Sequence, residues 1–243
     1  MLSTIVALIL FRTLPETKPA SHIEAKKDES FIQTVAGYKT VLRDLAFVGF
    51  ILTGMIVLIV YQQQYSSLPV YLRDVHNIDT RSYGVMLSIT GLEVVLFQFW
   101  ISRRIRRYSP FLMMMLSALF LTIGFGLIGF VSGFPLFLLA VIIITVGEML
   151  FFPTSQVLAA SFAPEDMRGR YMAVFGLVWA IPATIGPGAA GLILDNYNPD
   201  LLWYIGGILC MVAALGFYAL HAWLGIQKRF IPVPEENIAL AKS

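Results

Sequence analysis

Two glutamates stand where a carboxylate is costly. Glu148 lies in an apolar stretch from Pro135 to about Ala160, and Glu93 in another from Tyr83 to Ile101. An ionisable side chain at the centre of a membrane-length apolar helix costs about 2.5–3.5 kcal/mol on insertion scales, so such groups face a cavity or a partner. At helical spacing, Glu148 shares a face with Thr145, Phe152 and Ser155, at i−3, i+4 and i+7. That polar stripe suits a wet cavity better than lipid. Glu93 has Thr90 and Phe97 on its face. The chemistry available to both is proton carriage or recognition of a cation, tuned by desolvation. The competing reading is a protonated glutamic acid bonded to a neighbouring helix as structural glue.

Other residues point the same way less sharply. Gln62, Gln63 and Gln64 follow one another after Tyr61, so at least one faces a bundle interior unless all three sit at the membrane interface. Trp179 lies deep in an apolar run and is a candidate cavity wall, whereas Tyr204 and Trp223 read as interface anchors. Gly186, Pro187, Gly188, Ala189, Ala190 and Gly191 supply the small-residue pairs Gly186/Ala190 and Pro187/Gly191. With Pro182 they add two candidate kinks, for packing or for a hinge. Gly124, Gly126 and Gly129 suggest a second small face. Signatures of metalloproteases, serine hydrolases, redox dithiols, dinucleotide sites and P-loops are all missing, and no histidine pair has metal-ligand spacing. Neither an enzyme activity, nor a cofactor, nor a metal site is expected.

The elements that must hold these residues follow from composition. The 243 residues are 58% hydrophobic and 13% charged, with mean hydropathy +0.77, far from the roughly one-quarter charged content of globular chains. A hydrocarbon core of about 30 Å takes roughly 20 residues of helix. Six runs meet that length: Leu45–Leu68, Tyr83–Ile101, Pro110–Val131, Pro135–Ala160, Tyr171–Leu194 and Leu201–Leu224. The expected fold class is therefore an all-α membrane protein with a six-transmembrane-helix bundle over 45–224. Residues 1–11 (MLSTIVALILF) are too short to span and read as the end of a preceding, truncated helix. Residues 12–44 read as a polar linker with one amphipathic piece near Phe31–Leu42, and 225–243 as a tail.

Orientation follows from the cations. Of 17 Lys and Arg, all but Arg73 and Arg81 fall on one side of this parse. That side holds the linker, the Arg103, Arg104, Arg106 and Arg107 loop, the Arg168 and Arg170 loop, and the tail. Cytoplasmic loops attract Lys and Arg, so these segments are expected in the cytoplasm of a multi-pass cell-membrane protein. The arginine loop is more simply a topology signal than a nucleic-acid site.

Three stretches resemble the C-terminal half of a major facilitator superfamily transporter of the bacterial drug:proton antiporter type. Gln63-x-x-Ser66-x-Leu68-Pro69-Val70-Tyr71-Leu72 looks like the outer end of that family's seventh helix. Gly147-Glu148-Met149-Leu150-Phe151-Phe152-Pro153, followed by Ala163-Pro164-Glu165-x-x-Arg168-Gly169-Arg170-Tyr171, is similar to its tenth helix and the loop into the eleventh. Ile185-Gly186-Pro187-x-x-x-Gly191 resembles its glycine-proline motif. The segment Ser102–Tyr108 lacks the glycines and aspartate that the family often carries there.

The resemblance implies alternating access around a midplane site shared by two six-helix halves, with Gln63, Glu93, Glu148 and Trp179 lining this half. It implies proton-coupled multidrug efflux of amphipathic small molecules, in a lipid bilayer. It also implies a need for the missing N-terminal half or a second chain. An importer of a small solute, a lipid exporter of the same fold, and a non-transporting scaffold or regulatory subunit remain open alternatives.

Overall fold

The computed structural model describes residues 31–226, and every regular element among them is helical. Helix α1 (Phe31–Arg43) coincides with the amphipathic piece of the linker. It straddles the boundary between two compact units, residues 1–39 and 40–243. The sequence expectations for residues 1–11, for most of the linker and for 227–243 lie outside the described residues.

The second unit holds six helices long and apolar enough to cross a membrane. The first expected span is broken into α2 (Leu45–Tyr61), α3 (Gln63–Ser66) and α4 (Leu68–His76). Then come α5 (Thr80–Ile105), α6 (Pro110–Phe130), α7 (Phe134–Phe162), α8 (Arg168–Asn196) and α9 (Asp200–Ile226). The six spans stand where hydropathy put them, most of them longer by a few polar residues at one or both ends. Asp79 shows why: its carboxylate caps α5 by accepting from the Ser82 amide at 2.9 Å, which starts the helix three residues before the apolar run. The Ser82 contacts hold that carboxyl below the usual carboxylate range. Arg73 and His76, which lie between the first two apolar runs, belong to α4, which stops at Asn77 in a left-handed conformation (φ 55°).

Between hydrocarbon tails no hydrophobic force gathers helices, so close packing must. Helix α6 packs most extensively, against α9 and α7, while α2 leans on α8 and α9 and α5 reaches only α7 to any extent. Aromatic knots close both ends. Phe47, Phe50, Phe111, Phe162, Tyr171 and Phe175 meet at the end where α2 and α8 begin. Tyr71, His76, Phe137, Phe125 and Trp203 meet at the other. There the Tyr71 hydroxyl donates to Asp200 at 2.6 Å, tying α4 to the start of α9.

The glycines of α6 do not form one small face. Gly124 is pressed against α7, where a β-carbon would lie 2.4 Å from Ile144 and 3.0 Å from the Ala140 carbonyl. Gly129 faces the ring of Tyr204, and a β-carbon on Gly126 meets nothing within 4 Å. Successive residues turn by about 100°, so this spacing spreads the three around the helix. Gly124→Ala should therefore lower the unfolding free energy in detergent by about 1–3 kcal/mol. Gly126→Ala should leave it unchanged or raise it slightly. Steric-trapping or denaturant titration of the two variants checks the contrast.

Candidate functional site

The site is built on the middle of α7. Glu148 is the central residue of Phe134–Phe162, and Glu93 sits at the midpoint of Thr80–Ile105. Both carboxyls are thus at the middle of membrane-length helices, and they are near enough to interact electrostatically. The Tyr61 hydroxyl, from the end of α2, lies close enough to the Glu148 carboxyl to interact with it. It also pairs with the Tyr65 hydroxyl at 3.0 Å. One turn beyond Glu148, Phe152 meets the Tyr61 ring edge-on at 5.3 Å and the Trp179 ring stacked at 5.0 Å. An aromatic wall drawn from α2, α7 and α8 therefore stands beside the carboxyl. Tyr65 is 47% and Trp179 37% exposed, so the wall opens outward from the helices present.

Backbone chemistry fixes the height of Glu148. Pro153 has no N–H, which leaves the carbonyl of Met149 without its usual helical donor. The Gln98 amide of α5 supplies one at 3.2 Å, while also bonding Ser102 Oγ at 2.8 Å. On the opposite flank Ser117 of α6, fully buried, donates to the Gly147 carbonyl at 2.8 Å. Gly147 lets α6 come this close, because a β-carbon there would sit 3.0 Å from the Ser117 carbonyl. Glu148 is thus held between two interhelical hydrogen bonds to its neighbours in the chain.

The structure brings together Glu148, Glu93 and Trp179, and it separates Gln63 from them. Gln63 is buried but spends its amide on its own turn. Nε2 donates to the Ile59 carbonyl at 2.8 Å, and Oε1 accepts from Ser66 at 3.2 Å and Ser67 at 2.8 Å. Its neighbour across the interface is Gly186 of α8. Two residues along a helix turn a side chain by about 200°, so Tyr61 and Gln63 face opposite ways. Tyr61 is the residue of that patch that reaches Glu148, and only the position of α7 could reveal it. Of the stripe around Glu148, Thr145 bonds the Val141 carbonyl and Ser155 that of Phe152, leaving Phe152 as the member that faces the open side.

Pro182 and Pro187 both lie inside the unbroken helix α8. Pro182, Gly186 and Ala190 are buried one turn apart, whereas Pro187 is exposed and Gly191 half-buried. Only the Gly186/Ala190 pair is therefore a contact within this chain. Arg168 opens α8, Arg170 follows in its first turn, and Arg103 and Arg104 end α5. Among the described residues no group of three metal-ligating side chains comes together. An open apolar groove of about 590 Å³ lies elsewhere, between α6 and α9 around Gly126 and Gly207, and has no part in this chemistry.

A bundle of six membrane-length apolar helices defines a multi-pass membrane protein, and residues 1–187 match the Major Facilitator Superfamily, to which the chain belongs. An MFS-type transporter of Bacillus subtilis (strain 168), YqjV, is 27% identical over 215 residues, covering 87% of this chain and 50% of that one. A Na(+), Li(+), K(+)/H(+) antiporter of Planococcus maritimus is 25% identical, over 77% of this chain and 49% of its own. The multidrug resistance protein MdtH of Shigella dysenteriae serotype 1 (strain Sd197) is 28% identical, over 79% and 48%. These relatives are transporters rather than enzymes. A crystal structure of a POT family transporter in complex with a thioalcohol-conjugated peptide superposes with TM-score 0.66 at 18% identity, over 91% of this chain and 51% of that chain, a likeness of fold. The chain spans about half the length of the curated relatives it matches.

Removing the Gln98 amide should loosen the site without unfolding the bundle. Gln98→Leu leaves the Met149 carbonyl unpaired, at a cost of about 1–3 kcal/mol. Spin labels on α5 and α7 should then report a broader interhelical distance distribution than in the unchanged protein.

Proposed function

We propose that this chain forms one half of a proton-coupled exporter of amphipathic small molecules working by alternating access. The observation that carries this reading is the Glu148 carboxyl, approached by the Tyr61 hydroxyl and walled by Phe152 and Trp179 on the side that the helices present leave open. Deprotonated, that carboxylate attracts a cationic head while the stacked rings take an apolar body. Protonated, it loses its pull, so proton and substrate compete for one site and one drives the other across. Glu93 supports the same chemistry, with one buried oxygen that lacks a hydrogen-bond partner.

In this reading a complementary six-helix half, or a second chain, closes the site. The least-buried spans are α5 and α8, at 11% and 22% against 44–50% for the rest, and they offer the faces for it. In this reading Pro182 and Pro187 would let α8 bend beside that face as the halves rock. The basic linker (12–44), the Arg103/Arg104 and Arg168/Arg170 loops and the tail (225–243) lie on the cytoplasmic side of the cell membrane. A second reading, exchange of a monovalent metal cation, is favoured by the pairing of Glu93 with Glu148 and by the Planococcus relative.

The test uses vesicles holding the chain with its complementary half. Glu148→Gln should abolish export driven by a proton gradient while leaving substrate equilibration down its own gradient. Tyr61→Phe, which removes the hydroxyl beside that carboxyl, should weaken substrate or proton affinity about tenfold or more. Proton-driven export that persists in Glu148→Gln sinks the proposal. Proton flux that requires Na+ or K+ and ignores organic cations favours the metal-cation reading.

A further inference from the structure

A pocket stands on the side of α5 turned away from the carboxyls. Ser102 and Arg106 follow Glu93 by nine and thirteen positions, which carries them about 180–220° around the helix axis. There the arginine-bearing end of α5 meets α6 and α7 around a cavity of about 210 Å³. Its apolar lining includes Met113 of α6 with Pro153 and Val157 of α7, and its polar lining includes Ser102, Arg106 and Thr154. Each of these three polar groups is a donor in want of an acceptor. Ser102 Oγ accepts from the Gln98 amide at 2.8 Å, which leaves its own hydrogen to donate. Arg106 is exposed and, among the described residues, makes no ion pair. Thr154 is buried, and its hydroxyl has no hydrogen-bond partner. The other buried threonines among the described residues, Thr90 and Thr145, return their hydroxyls to the carbonyls of Leu87 and Val141. No carboxylate lines the cavity.

We infer that this cavity binds a small organic carboxylate, a single apolar ring or short chain with one anionic head. The donors fix the head. A guanidinium and two hydroxyls offer only hydrogens toward the space between them, and an ionised carboxylate offers only acceptors. A buried hydroxyl without a partner is destabilising, and such a visitor relieves it. The volume fixes the body. An engineered apolar cavity of about 150 Å³ holds benzene, so this one has room for a ring and a carboxylate. It falls short of the roughly 300–1,000 Å³ that drug-sized ligands occupy, which sets its ligand apart from a drug-sized one. Occupancy also reaches α7 through one group. A hydroxyl that donates to an anion becomes a better acceptor, which strengthens the bond from Gln98 to Ser102. The same Gln98 amide holds the Met149 carbonyl at 3.2 Å. The ligand therefore steadies the junction of α5 with α7, whatever the bundle transports.

The experiment titrates para-fluorobenzoate, followed by fluorine NMR, into the chain paired with its complementary half in detergent. Arg106→Gln should weaken binding about tenfold and Thr154→Val about fivefold. Thr154→Val keeps the shape of the side chain, so the empty protein should melt no lower than the unchanged one, a result that a purely structural hydroxyl would not give. Arg107→Gln, which removes a charge outside the cavity lining, should change nothing. Spin labels on α5 and α7 should report a narrower distance distribution when para-fluorobenzoate is added, and in Gln98→Leu the ligand should bind without that narrowing. Unchanged binding in both Arg106→Gln and Thr154→Val would place the ligand elsewhere and overturn the site. Equal binding of the neutral para-fluorobenzamide would overturn recognition of an anion. Displacement by equimolar inorganic phosphate would overturn the requirement for an apolar body. An unchanged distance distribution in the saturated protein would overturn the link to α7.

Discussion

Hydrocarbon offers nothing to hydrogen-bond with, so every polar group that a membrane helix exposes or frees must find its partner inside the protein. The centre of this bundle is organised by that demand. Pro153 frees the Met149 carbonyl, and Gln98 of α5 answers it. The Gly147 carbonyl takes a second donor from Ser117 of α6. The two bonds bracket Glu148, whose own carboxyl is met by Tyr61 of α2. Three helices are thus tied to α7 within three residues of one another along the chain. The same contacts that satisfy the backbone fix the height and direction of the carboxyl.

Away from that centre the same demand is met locally. Gln63 bonds its own preceding turn and two serines that follow, and Thr53, Thr122, Thr145 and Thr184 each return their hydroxyl to the carbonyl four residues earlier. A polar side chain in a membrane helix is therefore no sign of a cavity by itself. What separates Glu148 and Glu93 from the rest is that a carboxyl cannot be settled by its own turn. It has no donor to give a carbonyl while ionised, and it needs a partner from another helix or from a visitor. That distinction, more than depth along the helix, is what makes these two residues candidates for the proposed transport chemistry.

The faces left bare are as informative as the contacts. Helices α6, α7 and α9 pack into a layer held at glycines, whereas α5 leans on α7 and presents most of its surface outward. On α8, buried Gly186 and Ala190 face α2, while exposed Pro187 lies on the far side. In the proposed reading, that bare side is where a second body approaches.

Much of this was legible in the sequence. Six apolar runs of membrane length gave six spans, because hydrophobic length is a property of the chain and needs no tertiary information. The mid-helix position of Glu93 and Glu148 followed from the same count. So did the small-residue pair Gly186/Ala190, though not which of the two pairs would be buried. Three things were decided by tertiary structure alone. The first span breaks at Gln62 and Ser67. The glycines of α6 serve different neighbours. Tyr61, and not Gln63, reaches Glu148. The physical reason is common to all three. Hydropathy reports how deep a residue lies, but which way a helix faces is set by its rotation against its neighbours, and in a bilayer that rotation is chosen by packing and hydrogen bonding rather than by an apolar stripe.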